Sequence, residues 1–277
     1  MVKHFLELIR PVNSIMAAIA VLVGAIVAGG TFVFNMTEVH LAIIVTFVIT
    51  GAGMTINDFF DRDIDFLNKR HRPLPSGRIS PKGALVFSLV LFASGIYISW
   101  FINIYCFLMA FVNSFLLIIY SYRFKKVLMI GHIFVSYLVA SSFLFGGLAV
   151  NLDNFIPVFI LSILAFFSNM AREIVKSIED MKGDRFGKVK SFPIIFGEKN
   201  ARKFSSLLMA LSILFAPLPY VLGYMSHVYM YVVSLGLVLF IFSIIWNMRK
   251  TPAGKVHKLM KVAMLVSLLA FLVGGIF

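Results

Sequence analysis

The chain has 277 residues, of which 60% are hydrophobic and only 13% are charged. Soluble domains carry about 25% charged residues, so this composition, together with a mean hydropathy of +0.96, excludes an ordinary soluble domain and indicates an integral membrane protein. The formal charge of +13 would suit a nucleic-acid partner, but so apolar a chain is a poor candidate for that function.

Segments free of Asp, Glu, Lys and Arg divide the chain into stretches of membrane-spanning length, since a helix needs about 20 apolar residues to cross a bilayer. The segments 83–122 and 204–248 are each long enough for two spans, separated by turns near 100–103 and 223–227. The predicted spans are roughly 12–32, 39–59, 82–100, 103–121, 127–149, 154–175, 203–222, 228–247 and 258–276. The pattern predicts an all-α, polytopic membrane protein with nine transmembrane helices in a single bundle with two related halves.

The basic residues are distributed asymmetrically about these spans. All 25 Lys and Arg residues fall at the N-terminus or at span ends on its side, whereas the opposite ends carry only Glu38 and Asp153. Because basic loops stay on the cytoplasmic side, we expect a multi-pass cell-membrane protein whose N-terminus and basic loops are cytoplasmic. This topology accounts for the positive charge and removes the reason to expect nucleic acid.

An acidic cluster follows the second predicted span, where residues 57–65 contain four aspartates. At about 100° per residue, Asp58, Asp61 and Asp65 fall within roughly a 60° arc of one helix face. Asp63 points to the opposite side. Charge at membrane depth is costly and indicates a functional site. Three carboxylates on one face repel each other unless cations neutralise them, and oxygen-only ligands suit Mg²⁺.

A second acidic pair, Asp180 and Asp184, ends another long apolar stretch, and its spacing of four residues again places both carboxylates on one helix face. Basic residues and a proline follow both clusters: Lys69, Arg70, Arg72 and Pro73 after the first, and Lys188, Lys190 and Pro193 after the second. Two facing clusters of carboxylates are predicted to bind Mg²⁺ together with a diphosphate, whose oxygens complete the coordination shell of the metal.

The two longest predicted cytoplasmic loops, about 60–81 and 176–202, follow these clusters. We expect them to cap the site, since long loops are commonly functional. Cations at the same mouth can donate to phosphate oxygens. The candidates are Arg10, Arg72, Lys126, Arg172 and Lys176. For Arg172 an alternative is equally open, in which its guanidinium pairs with Glu173 or Glu179.

Together these motifs resemble those of the UbiA superfamily of intramembrane prenyltransferases. Its NDxxDxxxD motif is matched by Asn57, Asp58, Asp61 and Asp65, followed by Arg72-Pro73-Leu74, and its second motif by Asp180 and Asp184. Tyr122-xxx-Lys126 looks like its YxxxK element, although two tyrosines and two lysines within 120–126 compete for that register. Nine predicted spans match the family architecture, so the resemblance covers 1–277 as a single UbiA-like prenyltransferase domain.

The resemblance implies a Mg²⁺-dependent reaction in which an allylic prenyl diphosphate ionises and an acceptor attacks the carbocation. It implies that the metal ligands and catalytic residues are Asp58, Asp61, Asp65, Asp180 and Asp184. It implies that the substrate-binding residues are Arg10, Asn13, Asn57, Arg72, Tyr122, Lys126, Arg172 and Lys176.

Two further stretches indicate the acceptor. The segment 172–184 and the opening Arg10-Pro11-x-Asn13 look most like the archaeal ether-lipid branch of this family. That branch implies geranylgeranyl diphosphate as the donor and the sn-2 hydroxyl of geranylgeranylglyceryl phosphate as the acceptor. The quinone and haem branches share the metal motifs, so a prenyltransferase acting on an aromatic quinone precursor or on haem is the alternative.

Two other classes of membrane protein also use aspartates. A CDP-alcohol phosphotransferase is disfavoured because no Asp-Gly-xx-Ala-Arg stretch is present. A cation-coupled transporter would place its ion site near the midplane of the membrane, often at broken helices. The aspartates of this chain lie instead at span ends on one side, which favours an enzyme.

Overall fold

The structure is a computed structural model that describes residues 2–68, 70–123, 129–151, 155–186 and 191–276. Within these residues the regular structure is helical, without strands. The first part contains α1 (Val2–Leu8), α2 (Pro11–Gly29), a 3₁₀ helix (Gly30–Asn35), α3 (Thr37–Phe60), α4 (Arg62–Asn68), α5 (Pro81–Trp100), α6 (Ile104–Tyr122) and α7 (Ile130–Val150). The second part contains α8 (Phe155–Phe186), α9 (Phe192–Phe196), α10 (Glu198–Phe215), α11 (Leu218–Val221), α12 (His227–Met248) and α13 (Ala253–Ile276).

In the described part of the chain, nine helices are long and apolar enough to cross a membrane, which confirms the predicted polytopic all-α fold. The observed spans lie close to the predicted ones; the span predicted at 39–59, for example, is observed at Thr37–Phe60. Turns at 101–103 and 222–226 divide the two long apolar segments where the sequence indicated. Segment length and hydropathy are sufficient for this result because the thickness of the bilayer dictates both.

The segments predicted as loops contain more helix than expected. α8 continues to Phe186, so Asp180 and Asp184 lie within a helix, and α4 occupies part of the predicted loop 60–81. α10 begins at Glu198, before the predicted loop ends. A count of apolar residues ends a span at its first charges, whereas backbone hydrogen bonds continue the helix into water.

The spans form two groups that meet along α2, α7 and α8. In the first group α3 packs against α2, α5 and α6, and in the second α8 and α12 pack against α10 and α13. The groups join where α7 contacts α8 and where α13 contacts α2. A core cluster that includes Val23, Phe143, Val158 and Val233 spans this junction. The two acidic clusters therefore stand at the ends of helices from different groups.

The contact between α2 and α7 is a crossing of two backbones, with glycine on both sides. A Cβ atom at Gly24 would lie 2.0 Å from the carbonyl oxygen of Phe143, and one at Gly146 would lie 1.9 Å from that of Val21. Small residues allow this approach, which is a common way for helices to associate within membranes. The two helices that join the groups are thus held at a fixed separation.

The N-terminal helix α1 packs against the segment that follows α4. Leu8 is fully buried in a small apolar cluster with Leu74 and Ile79. At the surface, Arg78 Nη1 donates to Glu7 Oε2 over 3.1 Å. Arg10 then takes a left-handed conformation (φ 46°) before α2 begins, a strained geometry for a residue other than glycine. This arrangement brings the side chains of Arg10 and Arg72 together at the end of α3.

Candidate active site

The first acidic cluster lies where α3 ends and α4 begins. Only Asp61 separates the two helices, and helical hydrogen bonds continue across it: Asp61 N donates to Asn57 O over 3.0 Å, and Asp65 N donates to Asp61 O over 2.8 Å. The spacing of a single helix is therefore kept. Asp58 and Asp65 are buried, Asp61 is half-buried, and the side chain of Asp63 is 88% exposed. This placement is the one expected from the helical period.

Two arginines from outside α3 and α4 neutralise this cluster. Arg72 Nη1 donates to Asp58 Oδ1 over 3.2 Å and to Asp65 Oδ2 over 2.5 Å, and Arg10 Nη2 also donates to Asp58 Oδ1. The sequence predicted these arginines as phosphate ligands, and the structure shows that they contact the carboxylates. A carboxylate and a phosphate offer a guanidinium the same pair of acceptor oxygens.

Replacing Asp58 by alanine is expected to destabilise the protein. Removal of one member of a buried ion pair leaves an uncompensated charge, at a cost of about 3–5 kcal/mol when the site is fully buried. Since the side chains of Arg10 and Arg72 keep 28% and 21% exposure, we expect a smaller loss of about 2 kcal/mol. Thermal unfolding in detergent measures it, with Asp63→Ala as the exposed control. Equal unfolding temperatures for the two variants would contradict the pairing.

The second acidic cluster lies on the last turns of α8. Asp184 is half-buried there, whereas Asp180 and Lys176 are exposed. This cluster is therefore more accessible to solvent than the first. Lys188 and Lys190, which the sequence associated with it, lie outside the described residues.

Arg172, three turns before Asp184 on α8, is held by several partners. Its Nε and Nη2 donate to Asn169 Oδ1 over 3.2 and 2.8 Å, and Nη2 also donates to Glu173 Oε1 over 2.6 Å. Its Nη1 lies 3.5 Å from His257 Nε2 of α13. The alternative of an ion pair with Glu173 is thus observed. Glu179 instead lies 3.4 Å from His257 Nδ1.

Tyr120, rather than Tyr122, is the tyrosine close to acidic residues of both groups of helices. Tyr120 of α6 interacts electrostatically with Asp61 of the first cluster and with Glu173 of α8. Tyr122 is 71% exposed, and its ring packs against Phe60. Two positions apart on a helix differ by about 200°, so the two tyrosines cannot share a face. Lys126, the other member of the predicted YxxxK element, lies outside the described residues.

The remaining predicted residues lie near the first cluster. Asn13 is exposed, with its Nδ2 3.9 Å from Met54 Sδ, a contact that Arg10 Nη1 makes at 3.7 Å. Asn57 is half-buried and supplies the carbonyl oxygen that accepts from Asp61 N. Both asparagines thus border the residues that surround Asp58.

Three residues near the clusters were not predicted: Asn169, His132 and His257. His132 of α7 lies 3.1 Å from Ser177 Oγ and interacts electrostatically with Asp184. Asn169 and His132 are polar residues within long apolar segments, and that isolation is the only indication the sequence gives, whereas His257 lies among lysines, between Lys255 and Lys258. A single asparagine or histidine in a span can equally tie two helices together.

The donor chemistry of the two clusters fits Mg²⁺. The predicted ligands are carboxylates, and one cationic centre, Arg72 Nη1, already lies within hydrogen-bond distance of oxygens from both Asp58 and Asp65. Among the described residues, no group of three or more acidic, histidine or cysteine side chains converges on one metal position. Arg10 and Arg72 thus contact one oxygen of Asp58, and Arg72 contacts one oxygen of Asp65, in the group of carboxylates that would hold the metal.

The profile of the UbiA prenyltransferase family matches residues 17–269 of this chain. A digeranylgeranylglyceryl phosphate synthase of Methanococcoides burtonii is 36% identical over 280 residues, covering 99% of this chain and 100% of that protein. One from Methanopyrus kandleri is 39% identical over 271 residues, covering 98% of each chain.

Solved structures agree with the sequence comparison. One reported for a digeranylgeranylglyceryl phosphate synthase in membranes superposes with a TM-score of 0.90 at 38% identity, covering 99% of this chain and 98% of that one. A UbiA homologue from Archaeoglobus fulgidus bound to GPP and Mg²⁺ has a TM-score of 0.71 at 20% identity, covering 98% of each chain, and shares the fold. With a profile that covers most of its length and full-length relatives above 30% identity, this membrane protein belongs to the UbiA prenyltransferase family.

Proposed function

We propose that this enzyme transfers a geranylgeranyl group from geranylgeranyl diphosphate to the sn-2 hydroxyl of geranylgeranylglyceryl phosphate, forming the second ether bond of archaeal membrane lipids. The observation that carries the proposal is full-length identity of 36–39% to relatives that are digeranylgeranylglyceryl phosphate synthases. The site supports it with two acidic clusters and several cations, which are the groups that two phosphorylated lipid substrates require.

The carboxylates of Asp58, Asp61, Asp65, Asp180 and Asp184 would hold Mg²⁺. The Archaeoglobus fulgidus homologue was solved with GPP and Mg²⁺, which supports a divalent metal as the partner of a prenyl diphosphate in this fold. Bound Mg²⁺ supplies neutralisation of the negative charge that develops on the leaving diphosphate. Arg72, which contacts both Asp58 and Asp65, carries a guanidinium that is also well suited to phosphate oxygens.

In this proposal Arg10 and Arg72 bind the donor diphosphate at the mouth, close to the carboxylates they contact in the structure. The isoprenoid chain lies among the apolar helices. The allylic C–O bond breaks, its electron pair leaves with the diphosphate, and the acceptor hydroxyl oxygen forms the new C–O bond. The hydroxyl proton passes to a nearby carboxylate or to the released diphosphate, so no strong base is required.

Arg172 and Lys176 on α8 are proposed to bind the phosphate of the acceptor, while Asn13, Asn57, Tyr122 and Lys126 are proposed to contact the substrates. The side chain of Arg172 keeps 19% exposure despite its partners. Because the acceptor has a phosphate of its own, the proposed site needs cations on α8 in addition to the arginines beside the first acidic cluster. The basic span ends support a cytoplasmic orientation of this mouth in the cell membrane.

We expect the purified enzyme, given Mg²⁺ and geranylgeranyl diphosphate, to prenylate geranylgeranylglyceryl phosphate at least about 100-fold faster than its dephosphorylated alcohol. A site built for a charged group rejects an analogue that lacks it, because its own cations are then left without partners. Mass spectrometry of the lipid product and diphosphate release provide the measurement. 4-Hydroxybenzoate serves as the aromatic control and should remain unmodified.

Faster prenylation of 4-hydroxybenzoate than of the glyceryl phosphate would move this chain to an aromatic-acceptor function. Equal rates with the phosphorylated and dephosphorylated alcohols would contradict the proposed phosphate site on α8. In either case diphosphate release would still separate a prenyltransferase from a transporter.

A further inference from the structure

Two asparagine–serine pairs connect α7 to its neighbours, and they differ in one respect. Asn169 Nδ2 of α8 donates to Ser136 Oγ over 3.2 Å, and Asn113 Nδ2 of α6 donates to Ser141 Oγ over the same 3.2 Å. The carbonyl oxygen of Asn113 is buried and has no partner in the part of the chain that the structure describes. The carbonyl oxygen of Asn169 accepts two hydrogen bonds from Arg172.

The hydrogen bonds around Asn169 hold its side chain, and that of Arg172, in place. The residue is 2% exposed, and a buried amide is costly unless its polar atoms are bonded. Its amide group is oriented from α7, since Ser136 accepts from Nδ2, while its carbonyl oxygen takes the Nε and Nη2 edge of the Arg172 guanidinium. A chain of hydrogen bonds therefore connects Ser136 of α7 to Arg172 through Asn169.

The opposite edge of Arg172 faces α13. Because arginine has only donors, the ring nitrogen His257 Nε2, 3.5 Å from Nη1, must act as the acceptor. The proton of the neutral ring is then on Nδ1, on the side of Glu179 Oε2. Nη2 is used by Asn169 and Glu173, and one hydrogen of Nη1 has no partner among the residues that the structure describes, so it can bind a ligand.

We propose that Asn169 is a positioning residue that fixes Arg172 for the phosphate of the acceptor and thereby sets the preference for a phosphorylated acceptor. This inference rests on the function proposed above. A free arginine side chain loses considerable rotamer entropy when it binds, whereas one already held in place loses little, so preorganisation raises affinity. Asn169 acts through Arg172 and is not required to touch the substrate.

The test compares Asn169→Leu, which has nearly the same shape, with the matched control Asn113→Leu. Initial rates are measured with geranylgeranylglyceryl phosphate and with the dephosphorylated alcohol, at saturating geranylgeranyl diphosphate and Mg²⁺. For N169L we expect KM for the phosphorylated acceptor to rise about tenfold, as for the loss of a hydrogen bond to a charged group. KM for the donor should stay within about twofold of wild type, and N113L should retain the wild-type ratio of the two acceptors.

Two further variants separate positioning from a general structural role. Asn169→Asp keeps an oxygen acceptor for Arg172 and should preserve the preference for the phosphorylated acceptor. The double variant of N169L and Arg172→Gln should be no less selective than Arg172→Gln alone, because the two residues act in series. If N169L does not fold, Asn169→Ser replaces it, since its hydroxyl is too short to reach Arg172.

A wild-type preference that persists unchanged in N169L and N169S would overturn the positioning role and leave the proposed function standing. An equal fall of both acceptor rates in these variants would also overturn it, because that is the effect of simple structural damage. A wild-type enzyme that prenylates neither glycerol lipid would overturn the proposed function, and the positioning role with it.

Discussion

Replacing Asp61 or Asp184 by alanine is expected to lower turnover by about 1000-fold or more while leaving a folded, extractable protein. The two residues belong to different clusters, one between α3 and α4 and the other on α8. Each is proposed to be a ligand of the metal that offsets the negative charge of the leaving diphosphate. Metal stabilisation of such charge is worth several kcal/mol, and each 1.4 kcal/mol changes a rate about tenfold. Asp61 and Asp184 are half-buried, whereas Asp58 is buried, so the unfolding temperature should fall less than in Asp58→Ala.

Diphosphate release at saturating Mg²⁺ measures the loss, and thermal unfolding in the same detergent reports on the fold. Asp63→Asn is the matched control, since the side chain of Asp63 is 88% exposed and points away from the cluster. We expect that variant to retain most of its activity. Near-wild-type activity of either alanine variant would rule out a two-cluster site, and a loss in Asp63→Asn as severe as that in Asp61→Ala would contradict the assignment of faces.

A second large effect is expected at the crossing of α2 and α7. In Gly146→Ala the added Cβ would lie 1.9 Å from the carbonyl oxygen of Val21, and in Gly24→Ala it would lie 2.0 Å from that of Phe143. Backbone atoms cannot rotate away as a side chain does, so the helices must separate along their length. We expect a loss of about 3 kcal/mol or more, at the upper end of overpacking effects.

The yield of monodisperse protein after heating measures this loss of stability. Gly183→Ala is the control, because a Cβ at Gly183 meets nothing within 4 Å and alanine favours a helix. Its unfolding temperature should equal or exceed that of wild type. Wild-type stability of Gly146→Ala would show that the two helices are free to move apart.

The fold was largely predictable from the sequence because few physical quantities determine it. Hydropathy and the thickness of the bilayer located spans such as His227–Met248, predicted as 228–247. The short helix α1 was not predicted, because its seven residues are held by the contact of Leu8 with Leu74 and Ile79. The continuation of α8 to Phe186 was missed because charged residues are compatible with a helix once it leaves the hydrocarbon.

The site was predictable where it depended on helical period. That period placed Asp58 and Asp65 inside and Asp63 outside, as the structure has them. It could not predict that Arg10 contacts Asp58, since 48 residues separate them and the contact depends on how α1 packs. Asn169 was missed for a similar reason: its partners on α7 and α8 meet only in the folded bundle.

The length of α8 has a consequence for how the enzyme meets its substrates. Its 32 residues span about 48 Å, against about 30 Å for the hydrocarbon of a bilayer. The part of α8 that extends beyond the hydrocarbon at its carboxyl end contains Asp180 and Asp184. Arg172 lies about 18 Å from Asp184 along the helix axis, near the hydrocarbon boundary. Both of the proposed lipid substrates would then reach the reaction centre by diffusion in the plane of the membrane. The rate should follow their mole fraction among the surrounding lipids, so dilution with inert lipid at constant bulk concentration should slow the enzyme.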